Sequence, residues 1–195
     1  MSKVITTPKG KAVWPKLVEP DTKFDQDGMY SCKLHVSEQD FRAFEAHVKP
    51  IIEAAYKAEC DRLGKPKLRM AVSTPIRITE EGDYEIYAKQ KAKVHTKSRG
   101  TLEFVVAAVD SQGKKIPMPN VGSGSQLRMA VEVNPWFVPS QGFGYSLRLR
   151  AIQIIDLIEF GGGDSDFGFS VEESGYVGGE SLDEAFDAET VEAAF

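Results

Sequence analysis

Residues 84–95 read YEIYAKQKAKVH, and their alternation decides the class of fold. Side chains on an extended strand point to opposite faces in turn, so Tyr84, Ile86, Ala88, Ala92 and Val94 share one side and Tyr87, Lys89, Lys91, Lys93 and His95 the other. The first face is core. The second is a row of cations headed by an aromatic ring, its lysines about 7 Å apart, twice the strand rise. Lysine on an exposed strand also discourages edge pairing, so this row alone does not separate binding from solubility. A second row does more. In GYSLRLRAI (144–152), Leu147, Leu149 and Ala151 face one way and Ser146, Arg148 and Arg150 the other, and Arg128 lies on the polar side of QLRMAV (126–131). Three strands share one design.

Working outward, AVWPKLV (12–18) and MYSCKLHV (29–36) read as earlier strands, the latter with Tyr30, Cys32, Leu34 and Val36 opposite Ser31, Lys33 and His35. Ser37 then offers a helix N-cap with Asp40 three residues on. Phe41, Phe44, Val48, Ile51 and Ala55 recur at helical spacing until Gly64 and Pro66. Pro50 inside this run predicts a kink, or a break with Pro50 opening a second helix. TLEFVVAAV (101–109), QLRMAVEV (126–133) and FGYSLRLRAIQIIDLIEF (143–160) complete about six strands. Turn residues separate them, including NPWFVPSQGFG (134–144), a proline-bounded loop expected to hold Trp136 and Phe137. The inventory predicts a mostly β protein, an OB-fold-like antiparallel Greek-key barrel with one inserted helical segment. Pattern alone leaves an SH3-like barrel or another α+β layout open.

The 195-residue chain, 42% hydrophobic, has material for one sizeable core. Its net charge of −5 conceals a separation: residues 161–195 hold ten acids and no lysine or arginine, leaving 19 acids against 24 bases in residues 1–160. The body is therefore +5 and the tail −10. Two glycine clusters bracket the start of that single-sign stretch, which predicts a domain over 1–160 and a flexible acidic tail over 161–195. No long apolar run or secretory signal is evident, so no membrane association and a cytoplasmic location are expected. Cys32 and Cys60 read as reduced, buried thiols. His35, His47 and His95 are scattered, no metal-ligand or nucleophile motif occurs, and neither an enzyme nor a cofactor is implied.

Cations that track a phosphate backbone, interleaved with rings that stack on unpaired bases, are what single-stranded nucleic acid requires. Tyr87, Trp136 and Phe137 are the stacking candidates, and Lys89, Lys91, Lys93, Arg128, Arg148 and Arg150 the cationic ones. Burial in the core is the competing role for Trp136. Binding of RNA by the same groove, or an interaction module whose acidic arm meets basic proteins, are the alternatives that the residues leave standing.

VDSQGKK (109–115), VGSGSQLRM (121–129), GYSLRLRAIQIIDLIEFGGGDSDF (144–167), VEESGYV (171–177) and the acidic end closing on Phe195 together resemble the single-stranded DNA-binding proteins of T7-like phages. The resemblance implies an OB-fold that coats and anneals single-stranded DNA in phage replication and recombination within the infected bacterium. It also implies a homodimer, and a tail that contacts the phage DNA polymerase and primase-helicase. By the same resemblance Lys3 corresponds to the family's N-terminal lysine, the row Lys89, Lys91 and Lys93 to its groove lysines, and Trp136 to its stacking aromatic. Asp27 stands where the family carries a basic residue. In the tail, Asp183, Glu184, Asp187, Glu189 and Glu192 are expected to steer a partner, and Phe186 and Phe195 to anchor it.

Overall fold

The structure, a computed structural model, describes residues 4–159. Lys3 and the predicted tail residues Asp183, Glu184, Phe186, Asp187, Glu189, Glu192 and Phe195 lie outside the described residues. Within them the chain forms β1 (Val4–Thr6), β2 (Gly10–Asp21), β3 (Met29–Val36), α1 (Glu38–Leu63), β4 (Ile76–Ile78), β5 (Tyr84–Lys91), β6 (Lys93–Thr96), β7 (Gly100–Glu103), β8 (Ala107–Val109), β9 (Lys115–Ile116), β10 (Gln126–Val138) and β11 (Gly142–Asp156). None of these helical residues forms a span long and apolar enough to cross a membrane.

Five strands close on themselves. β2 pairs with β3, β3 with β5, β5 with β11, β11 with β10, and β10 returns to β2 at Gln126↔Lys11 and Leu127↔Gly10. Closure leaves no free edge between them. Four of the five seams are antiparallel, and the β5–β11 seam, at Leu147↔Ala88 and Arg148↔Lys89, is parallel. Alternation supplies the interior: Ala12, Cys32, Leu34, Ile86, Ala88, Leu127, Met129, Val131, Leu147 and Leu149 are completely buried. The mostly β, OB-fold-like barrel with its inserted helix is thus the architecture observed. Both cysteines are free and buried, and burial pushes the Cys32 thiol up to about 12.

The helix is uninterrupted from Glu38 to Leu63, so Pro50 does not break it. Pro50 is exposed, and the carbonyl of Ala46 that loses its partner can bond to water. Packing holds the rest. Phe41, Phe44 and Val48 are buried against the barrel, each contributing about 1.5–3 kcal/mol. Ser37 Oγ accepts from the Asp40 amide at 3.1 Å, and Gly64, at φ 63°, closes the C-terminus.

Two strand readings divide. YEIYAKQKAKV ends its first ladder at Lys91, because the Ala92 amide donates to Gly28 and its carbonyl accepts from Phe104. TLEFVVAAV splits into β7, which pairs with β6 in a separate two-stranded sheet, and β8, which joins β11. Ala92 and Val106 stay buried through both changes, so hydrophobic period gives no sign of the exchange of partners.

Candidate nucleic-acid interface

Trp136 and Phe137 are not in a loop. β10 runs on through Asn134, Pro135, Trp136, Phe137 and Val138, paired with β11 from Ser146 back to Gly142. Proline is tolerated there because β10's other neighbours, β1 and β2, reach only residues 126–132, leaving Pro135 on a free edge that needs no donor. In a strand, adjacent residues face opposite ways. Phe137 accordingly packs with Cys60, Leu68 and Phe143 beneath α1, whereas Trp136 takes the other face, half-buried. Its ring lies over Gly144, where an added Cβ would come within 2.5 Å of the indole. Glycine at 144 is what lets the ring lie flat.

Trp136 forms part of an open cleft of about 730 Å³, together with Tyr87, Tyr145, Lys33, Arg69, Arg77, Lys89, Ser146 and the segment from Ala71 to Pro75. Four cations and three rings line it, and no carboxylate does. Its floor is the outward face of β3 and β5, where the register sets Lys33 beside Tyr87 and Ser31 beside Lys89. Across the parallel seam Lys89 meets Arg148. One wall is the 69–75 segment, fastened twice: Tyr56 of α1 hydrogen-bonds the Leu68 amide and carbonyl at 2.8 and 3.1 Å, and Phe143 and Ala71 exchange 2.7 Å bonds with Arg69 and Phe143. Gly142, at φ 96°, allows this approach, since a Cβ there would strike the Arg69 carbonyl.

Beneath the cleft lies Glu85, its side chain 3% exposed. Arg77 Nε and Nη2 donate to its Oε1 at 2.8 and 2.7 Å, and Lys33 Nζ and His35 Nε2 approach Oε2 at 3.6 and 3.8 Å. The carboxylate sits between β4 and β3 in register, Arg77↔Glu85↔His35. It holds two of the cleft's cations in place without entering the cleft. Burial raises the pKa of Tyr87, and it pushes the Tyr145 hydroxyl up to about 12 with Glu45 adding to the effect, so both rings stay neutral beside an anion.

The remaining sequence candidates disperse. Lys91 pairs with Asp25 at 3.0 Å, Lys93 with Glu103 at 3.4 Å, and His95 with Asp27 at 2.9 Å. Arg148 and Arg150 share Glu132 at 3.8 and 3.5 Å. Arg128 is exposed on β10, outside the cleft. Arg69, Arg77 and Tyr145 escaped the sequence reading, as did Lys33, although the alternation of MYSCKLHV already put Lys33 on the polar face. Nothing local marks Arg69 or Arg77; the fastening of their segments brings them in.

No family model matches the chain. It is 33% identical over 96 residues to the single-stranded DNA-binding protein of Escherichia phage T7, a match spanning 48% of this chain and 40% of that protein. It is 29% identical over 174 residues to the single-stranded DNA-binding protein of Enterobacteria phage T3, covering 79% of this chain and 73% of the relative. Among solved structures it is similar to the T7 single-stranded DNA-binding protein, with a TM-score of 0.70 and 25% identity over 91% of this chain and all of that one. It also shares its fold with the single-stranded DNA-binding protein of bacteriophage Enc34, at a TM-score of 0.58 and 15% identity over 86% of this chain and 90% of that one.

Proposed function

We propose that this chain, which resembles the single-stranded DNA-binding proteins of T7-like phages in sequence and fold, binds single-stranded DNA without regard to sequence in the cleft between β3, β5 and the 69–75 segment. One observation carries the reading: four cations and three aromatic rings line one open cleft into which no carboxylate projects. Cations track the backbone, and each stacked base contributes about 1–3 kcal/mol through a ring that accepts any base. In the fuller reading the protein acts in the infected bacterial cell, coats and anneals strands in phage replication and recombination, and works as a homodimer. Its segment 161–195, at −10 against a +5 body, competes with DNA for the cleft. When displaced, it presents Phe195 and Phe186 to the phage polymerase and primase-helicase.

A salt-dependent titration of the full chain with oligo-dT tests the core of this reading. Affinity is expected to fall with log salt at a slope near −0.7 per displaced counterion, and a chain ending at Phe160 is expected to bind more tightly. Absence of binding at low ionic strength would remove the reading. Unchanged affinity after truncation would remove only the competitor role of the tail.

A further inference from the structure

A second exposed ring stands outside the cleft. β2 bulges between Val13, opposite Lys33, and Lys16, opposite Ser31, so that Trp14 and Pro15 face the single residue Cys32. At the bulge Trp14 has φ 46°, the one non-glycine residue with positive φ among the described residues, and its side chain is 73% exposed. Both features are costly for tryptophan, which is usually well buried and disfavours left-handed backbone. The conformation is held from outside: the Trp14 amide donates to Ser123 Oγ at 3.0 Å, and Ala12 exchanges backbone bonds with Ser125 and Gly124 at 2.8 and 2.9 Å. A bulge, a strained residue and a side chain turned to solvent together re-aim a ring outward.

The surroundings identify what the ring meets. Lys9, Lys11 and Lys16 are exposed and have no ion-pair partner among the described residues. Trp14 and Lys16 line a groove of about 890 Å³ that also carries Lys23 and the acids Glu19 and Asp21; a further irregularity of β2 sets Asp21 opposite Met29, two residues along β3 from Ser31, the partner of Lys16, or about 7 Å. The register continues from the cleft: Arg148, Lys89, Ser31 and Lys16 stand in one cross-strand row. Lys16 is two strands from Lys89, about 10 Å, a gap of one or two extended nucleotides. A second copy of this chain docked symmetrically on this patch would set the same lysines against each other; a polyanion with flat bases does not meet that penalty.

We propose that Trp14 is a second stacking platform, reached by a single strand that leaves the cleft at Lys89 and crosses β3 past Lys16. The proposal rests on the single-stranded DNA reading above and extends the contact surface beyond it.

Trp14 and Trp136 are the two tryptophans of the chain, so full-length Trp136→Phe leaves Trp14 as the sole indole emitter while keeping a ring in the cleft. Fluorescein-labelled oligo-dT of increasing length reports binding by anisotropy, independently of tryptophan emission. Trp14 emission is expected to be quenched by long oligomers and left unchanged by the shortest that bind. In the otherwise native chain, Trp14→Ala is expected to weaken binding of long oligomers by about tenfold and leave short ones unaffected. Anisotropy that rises while Trp14 emission stays constant at every length overturns the platform and spares the cleft. A Trp14→Ala chain with native DNA affinity but an altered sedimenting mass assigns the ring to a protein contact and also overturns it. No anisotropy change when the native chain meets any oligomer ends both readings together.

Discussion

Lys89 and Lys91 stand two residues apart on the same outward face of β5 and enter different electrostatic company. Lys89 lies in a cleft with Lys33, Arg69 and Arg77, in register with Arg148. Lys91 is bound by Asp25, and the next members of the row, Lys93 and His95, by Glu103 and Asp27. Of the four basic residues in the row, Lys89 alone faces no carboxylate among the described residues, and the other three are matched within the molecule. What distinguishes them is the neighbouring loop. The turn before β3 brings Asp25 and Asp27 to one end of the strand, while at the other end the 69–75 wall carries Arg69 and β4 carries Arg77. A cation's availability is therefore a property of its partners, which alternation does not record.

The largest expected consequence concerns the ring at the cleft end. Trp136→Ala is expected to cost about 1–3 kcal/mol of oligo-dT binding, roughly 5- to 150-fold, measured by anisotropy in the full chain. Phe137→Ala, on the buried side of the same strand, is expected to lower the melting temperature and leave affinity per folded molecule unchanged. Equal effects on affinity would mean that the two faces of β10 are not functionally distinct.

Glu85 sharpens the comparison by reversing the sign that simple charge counting predicts. Neutralising a carboxylate near a polyanion site should tighten binding. Because Glu85 holds Arg77 by two hydrogen bonds and attracts Lys33, Glu85→Gln is instead expected to weaken oligo-dT binding by about fivefold, near 1 kcal/mol, within the range for one charge-assisted hydrogen bond. Tighter binding at unchanged melting temperature would show that the cations need no positioning. Carboxylates at the other end of the row serve as contrast: Asp25→Asn, which releases Lys91, is expected to tighten binding slightly.

These contrasts mark where sequence reading reaches its limit. The barrel was legible because its determinant is local: Ile86 and Ala88, or Leu147 and Leu149, alternate with polar residues however the strands pair. The cap at Ser37 and the stop at Gly64 were legible for the same reason. Trp136 was found as a ring but placed in a loop, since prolines and glycines around it read as a turn, and only an unpaired strand edge makes Pro135 compatible with a ladder. That error placed Phe137 beside Trp136 in function, when strand geometry sends it to the opposite face. Arg69 and Arg77 depend on contacts between Tyr56 and Leu68 and between Arg77 and Glu85, separated by 12 and 8 residues, and Trp14 on a bulge; no periodicity encodes these.

Salt dependence reads the comparison one charge at a time. Lys89→Ala is expected to reduce the slope of log affinity against log salt by about 0.7, one counterion's worth on single-stranded DNA. Lys91→Ala and Lys93→Ala are each expected to change it by clearly less, since their ammonium groups are already matched. Slopes for Lys91→Ala and Lys89→Ala that coincide would show that the Asp25 pair opens on binding and that the row works as a whole.

The smallest effect is also the most local. The Lys91 ammonium hydrogen-bonded to Asp25, with help from the Asp27 amide, holds the Asp25 carboxyl below the usual carboxylate range, and the same contact raises Lys91. A carboxyl depressed in the folded state adds stability above its unfolded pKa and loses it as pH falls through the folded value. A raised lysine adds stability below its unfolded pKa and loses it as pH rises through the folded one. Both contributions are thus present at neutral pH. Lys91→Ala removes them together, so its stability deficit should be full near neutrality and shrink as acid protonates Asp25. Carbon-13 NMR of the carboxyl should show Asp25 titrating at higher pH in Lys91→Ala than in the native chain. If Asp25 in the native chain titrates at its ordinary pH, the pair is not formed in solution, and Lys91 belongs with Lys89 among the cations open to DNA.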